Sequence, residues 1–78
     1  MDTVTSMRTY ARVVELGGLA AAARSLGMSP AMVAKHLGTR EGRPGARLLD
    51  RTTRSVRATV AGQAYYERVV AVLDALDE

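Results

Sequence analysis

The fold turns on Leu19 to Leu37, LAAAARSLGMSPAMVAKHL. Ala20 to Leu26 is built mostly from the best helix-forming residue, so propensity alone favours a helix there. Gly27 sits where a helix C-terminus wants a residue that tolerates positive φ. Ser29 is placed to cap a second helix, and Pro30 occupies its first position, where the missing N–H is no loss. Two helices joined by a short glycine-containing turn are the signature of a helix-turn-helix. Such hairpins also occur in proteins that never touch DNA, so the flanking sequence has to decide the function.

Upstream, Met7, Tyr10, Val13, Val14 and Leu16 recur at helical spacing, with Arg8, Arg12 and Glu15 between them. They predict a first helix over Thr5 to Leu16, capped by Asp2 or Thr5 and stopped by Gly17-Gly18. In the second helix, Leu19, Ala22, Ala23 and Leu26 form the inner face, and Met28 in the turn plugs the same core. In the third helix, Val33 and Leu37 point inward at i and i+4, leaving Ala31, Ala34, Lys35 and Gly38 outward. Pro30 and Met32 are placed to meet a base methyl. His36, the single histidine, has no acidic or thiol partner at metal-ligand spacing and reads as a surface or hydrogen-bonded helix residue. Gly38, Gly42 and Pro44 predict that this helix frays by about Glu41 and ends before Pro44.

The period then changes. Arg47-Leu48-Leu49 and Ser55 to Ala58 read as short strands around a polar turn, Asp50 to Arg54. A hairpin tipped with Arg51, Thr52, Thr53 and Arg54 has the donors that hold phosphate oxygens. Thr59 caps a last helix, Val60 to about Leu76, whose Ala61, Ala64, Tyr65, Val69, Val72, Leu73 and Leu76 make a long apolar stripe. A stripe extending past so small a core predicts self-association, with Tyr65, Val69, Val72, Leu73 and Leu76 on the seam. The Tyr65-Tyr66 pair is placed to pack on the first helix.

The bulk properties agree with this outline. Seventy-eight residues make one domain with a thin core. Cysteine is absent, which excludes disulfides and thiolate metal sites. No apolar run approaches the ~20 residues of a transmembrane helix, and no signal-like N-terminus is present, so a soluble cytoplasmic protein is expected. The net charge of +3 is uneven. Between Ser29 and Arg57, Lys35, Arg40, Arg43, Arg47, Arg51, Arg54 and Arg57 face only Glu41 and Asp50, whereas the segment from Ala58 onward is acidic. A basic middle of this kind is the electrostatic footprint of a polyanion, and arginine suits bidentate contacts to phosphates and base edges.

Taken together, MRTYARVVELGGLAAAARSLGMSPAMVAKHL, GARLLDRTTRSVRAT and AGQAYYERV resemble, in order and without gaps, the DNA-binding domain of LysR-type transcriptional regulators. The resemblance implies a mainly α winged helix-turn-helix: three helices plus a short two-stranded β wing, followed by a long linker helix. It implies a sequence-specific regulator that binds double-stranded DNA as a homodimer, or as a tetramer of dimers. The third helix would enter the major groove and the wing the minor groove or backbone. By position, the groove-reading helix falls on Ser29 to Leu37, with contacts expected from Ser29, Pro30, Ala31, Met32, Ala34 and Lys35, and wing contacts from Arg51, Thr52, Thr53 and Arg54. Residues 1–59 would form the reading domain and 60–78 the linker and dimerisation helix. The family's small-molecule effector domain has no counterpart in this sequence.

Several positions depart from the family pattern. Many members carry Ser at the position of Ala34 and Arg at that of Lys35, so readout here should lean on apolar contacts, backbone anchoring and DNA shape. Arg40 and Pro44 stand where leucines are expected, and Val60 replaces an acidic residue that would favour the helix dipole. The competing reading is a winged-helix protein–protein module that has lost DNA readout. An enzyme is not expected: no carboxylate pair, nucleophile–base set, phosphate loop or metal spacing is present, and no cofactor is implied.

Overall fold

A computed structural model describes the backbone of residues 3–41, 49–51 and 56–77, and the side chains of residues 3–37, 49 and 56–77. Over these residues the order is α1 (Thr3–Leu16), α2 (Leu19–Leu26), α3 (Pro30–Glu41), β1 (Leu49–Arg51), β2 (Val56–Ala58) and α4 (Val60–Asp77). The mainly α winged helix-turn-helix with a long last helix is therefore the observed architecture.

Glycine punctuates the first three helices for a backbone reason. Gly17 and Gly27 have φ of 73° and 69°, the left-handed region that a Cβ disfavours. Gly17 donates to the Val13 carbonyl at 2.8 Å, and Met28 donates back to Ala23 at 3.0 Å, so both helix ends close on their own carbonyls. Among the described residues a Cβ would meet nothing within 4 Å at either position, so backbone conformation is what selects glycine there. α1 starts at Thr3 and not Thr5. Thr5 therefore lies inside the helix, where its carbonyl accepts the Thr9 hydroxyl at 2.7 Å.

The helix-turn-helix closes around Tyr10, Val13, Ala22, Ala23, Val33, Leu37, Leu49 and Val56. Tyr10, Val13, Val33 and Leu37 are fully buried, matching the expected inward spacing, and Met28 and Leu19 pack against the cluster. Leu16 departs from its helix's stripe and stays 46% exposed, because it is the last residue of α1 and projects past the core.

The two strands pair antiparallel with Leu49 opposite Ala58, Asp50 opposite Arg57 and Arg51 opposite Val56. Asp50 and Arg51 are thus ladder residues, not part of the turn expected from Asp50 to Arg54. This register sets Leu49 and Val56, both buried, on one face, which a one-residue slip would forfeit. Val56 also donates its N–H to the Gly17 carbonyl at 3.1 Å, so the wing is pinned to the α1–α2 turn. Arg47, Leu48 and Ser55, also expected in the strands, lie outside the described residues, as does Gly42 to Gly45.

α4 begins as expected. The Thr59 hydroxyl accepts the Gly62 N–H at 3.0 Å, and the Thr59 carbonyl accepts that of Gln63 at 2.8 Å. The helix packs back on α1 through Ala11, Val69 and Leu73, with Val4, Met7, Tyr65 and Tyr66 around them.

Candidate nucleic-acid interface

The outer face of α3 is presented by a well-anchored inner face. Val33 and Leu37 are inserted without residual exposure, and between them His36 is 4% exposed. The His36 Nδ1 and the Ser6 Oγ of α1 share a buried hydrogen bond at 3.1 Å. His36 is thus the hydrogen-bonded helix residue expected, in a buried version of that role. Composition does not mark Ser6 as a core residue, although its spacing from Tyr10 and Val13 places it on the inward side of α1. A polar pair at a helix–helix contact adds a directional constraint that apolar packing lacks, fixing the rotation of α3 on α1.

At the N-terminus of α3, the Ser29 hydroxyl accepts the Met32 N–H at 3.2 Å, and the Ser29 carbonyl accepts that of Val33 at 3.1 Å. Ser29, Pro30, Ala31, Met32 and Lys35 are exposed together, whereas Ala34 is half-buried on the flank of this surface. No acidic residue occupies the first turn, so the partial positive charge of the helix start is left for an anion. Five of the six residues expected to read DNA from this helix therefore form one continuous exposed patch, with Ala34 at its edge.

For the wing, the backbone of Arg51 lies in β1 opposite Val56. The Arg51 side chain and the whole of Thr52, Thr53 and Arg54 fall outside the described residues. Arg57, which was not among the expected contacts, is exposed on β2 at the position across from Asp50.

The seam expected on α4 divides in two. Val69 is 1% and Leu73 9% exposed against α1, and Tyr65 packs edge-on to Tyr10 with ring centroids 5.0 Å apart. Val69 and Leu73 are buried and Tyr65 is half-buried in packing against α1 within one chain, whereas Val72 at 45% and Leu76 at 55% exposed lie outside that contact. The reason is that α4 has to satisfy α1 first, and one side of its broad apolar surface is consumed in doing so. The expected packing of the tyrosine pair on the first helix is present: the Tyr66 hydroxyl donates to Glu15 Oε2 at 2.8 Å, and the Tyr10 hydroxyl donates to the Gly62 carbonyl at 2.9 Å. The Tyr65 hydroxyl is buried without a hydrogen-bond partner among the described residues.

Charged groups flank the same seam. Arg8 grips Asp77 through two hydrogen bonds of 2.8 and 3.2 Å, and Arg12 lies 3.5 Å from Glu15. The hydrogen bond from Arg8 and its positive charge hold the Asp77 carboxyl below the usual aspartate range. The hydrogen bond to Glu15, aided by burial, pushes the Tyr66 phenol up. An open cleft of about 230 Å³, lined among others by Ala11, Leu73, Arg8 and Asp77, separates parts of the two helices.

Comparison with known proteins supplies the family. The family described as "Bacterial regulatory helix-turn-helix protein, lysR family" matches residues 4–63. The chain is 38% identical over 78 residues to an HTH-type transcriptional repressor of Pseudomonas aeruginosa (strain UCBPP-PA14), covering 100% of this chain and 25% of the relative. It is 39% identical over 67 residues to the HTH-type transcriptional activator AaeR of Escherichia coli (strain K12), covering 86% of this chain and 22% of the relative. The chain thus spans about a quarter of the length of these curated relatives. Among solved structures it is similar to the CbnR DNA-binding domain in complex with DNA, with a TM-score of 0.90 and 28% identity over 99% of this chain and 87% of the other. A matching helix-turn-helix pattern, the same architecture with its long last helix, and relatives aligned along the whole chain establish that this protein belongs to the lysR family of bacterial helix-turn-helix transcription regulators.

Proposed function

We propose that this chain binds double-stranded DNA sequence-specifically as a homodimer, with α3 in the major groove and the wing on the adjacent minor groove or backbone. The observation that carries the reading is the exposed patch Ser29, Pro30, Ala31, Met32 and Lys35, held outward by the buried Val33, His36 and Leu37. The basic middle of the chain supports it, because phosphate neutralisation supplies a large share of the affinity of DNA-binding proteins. The similar CbnR domain is in complex with DNA, which favours the same use of the shared fold here. Residues 1–59 are the reading part in this proposal and 60–78 the pairing part, with Val72 and Leu76 on the seam. Such work belongs with the chromosome in the cytoplasm.

Mobility-shift titration of a genomic-fragment pool at several salt concentrations tests the proposal. Retained fragments are expected, with log K falling against log salt at a slope near −0.9 per neutralised phosphate. No retained fragment even at low salt would overturn it in favour of a protein–protein module. For the pairing part, Val72→Glu and Leu76→Glu are expected to sediment as monomers with unchanged helix content by circular dichroism, because both sites are exposed in the single chain.

A further inference from the structure

We infer that Met32 is the main sequence discriminator of α3, packing its thioether chain on the C5-methyl group of a thymine in the major groove; the inference rests on the DNA-binding reading above. The described face of α3 is poor in groups that can read a base edge by hydrogen bonding. The Ser29 oxygen accepts the Met32 N–H as the helix cap, which ties the side chain to the helix start and leaves a single O–H to donate. Pro30, Ala31 and Ala34 carry no side-chain donor or acceptor, and the His36 ring is buried against Ser6. Lys35 is a flexible point charge without the planar fork that makes bidentate contacts. What the surface does offer is Met32, 42% exposed and the only large exposed apolar side chain among the described residues of this helix.

Its position suits the task. At about 100° per residue, Met32 lies on one flank of the outward line through Ala31 and Lys35, with half-buried Ala34 on the other. Helical side chains lean toward the N-terminus, so Met32 reaches over the first turn, the end of α3 that would enter the groove first. The small Ala31 leaves it uncovered. A thymine methyl is the one apolar group on the major-groove edge of a base pair, and it lies on one strand only, so an apolar probe there distinguishes T·A from A·T as well as from G·C. Methionine's unbranched, polarisable chain fits such a contact without demanding a single rotamer.

The test begins with selection of duplexes from a random pool by this chain. Each thymine of the enriched sequence is then replaced by deoxyuridine, which preserves pairing and the O4 acceptor and removes only the methyl. The wild type is expected to lose about fourfold in affinity at one or two positions, the worth of one buried methyl. Met32→Ala should bind the thymine and uracil duplexes alike at those positions, whereas Met32→Leu should keep the discrimination; both variants should melt as the wild type. Neutral substitution at every thymine, or an undiminished uracil penalty in Met32→Ala, would overturn the inference while leaving DNA binding intact. Failure to enrich any sequence would overturn the DNA-binding reading and this inference with it.

Discussion

The two apolar clusters that share α1 are held by different means. The helix-turn-helix cluster draws on all three of its helices and both strands, with Tyr10, Val13, Ala22, Val33 and Leu37 excluded from solvent altogether. The α1–α4 seam has Ala11, Val69 and Leu73 at its centre and exposed polar links around it: Arg8 to Asp77, and Tyr66 to Glu15. It also runs beside an open cleft. The difference teaches where rigidity is needed. A helix with the reading role proposed for α3 must keep its rotation, and α3 is fixed by packing plus the Ser6–His36 hydrogen bond. The last helix is attached by a narrower apolar contact and, among the described residues, by one exposed ion pair, Arg8 to Asp77, that salt and acid can weaken.

Cutting into each cluster should break the comparison most directly. Leu37→Ala is expected to lose about 3 kcal/mol, a large part of the about 5 kcal/mol available to a domain this small, and to show as a collapsed melting transition by circular dichroism. Leu73→Ala, beside the cleft and slightly exposed, should lose about 2 kcal/mol. Amide exchange in that variant should quicken in α4 before α3. Equal acceleration in both helices would mean that the clusters form one cooperative unit.

The tyrosines at the junction of the clusters provide a finer cut. Tyr10→Phe removes the bond to the Gly62 carbonyl and should lower stability by about 1 kcal/mol. Tyr65→Phe removes a buried hydroxyl that has no partner among the described residues, so thermal denaturation should show it neutral or stabilised by up to about 1 kcal/mol. On the helix-turn-helix side, Gly27→Ala should cost about 1 kcal/mol from φ alone and Gly27→Asn less, since the surrounding space is empty.

The smallest expected effect sharpens the electrostatic half of the contrast. Because Arg8 lowers the Asp77 pKa from 3.8, the ion pair stabilises the fold above the ordinary carboxylate range and loses that contribution as pH falls through the depressed value. Wild type and Asp77→Asn should therefore melt slightly apart at neutral pH and low salt, and converge in acid or in high salt. A difference that persisted in acid would assign the effect to packing.

Much of the fold was legible because local chemistry and tertiary packing ask for the same thing in its first half. Gly17 and Gly27 end helices through their backbone freedom, and Ser29, Pro30 and Thr59 start them by satisfying or lacking N–H groups. The spacing of Tyr10, Val13, Val33 and Leu37 has polar or small residues between, so one face alone can be buried. The exposed patch from Ser29 to Met32, with Lys35, follows from the same periodicity. That local logic could not reach the wing's register, which places Asp50 and Arg51 in the ladder because Leu49 and Val56 must share a face.

By itself, then, the sequence determined the helix-turn-helix, the boundaries set by glycine and capping residues, the basic middle and the exposed face of α3. Only the tertiary structure decided which side of α4 is inside. Val69 to Leu73 is five apolar residues in a row, so periodicity has no polar complement from which to choose a face. The position of α1 makes the choice, burying Val69 and Leu73 and leaving Val72 outside. The same is true of Ser6 and His36, polar by composition and buried because each supplies the other's hydrogen bond across 30 residues of sequence.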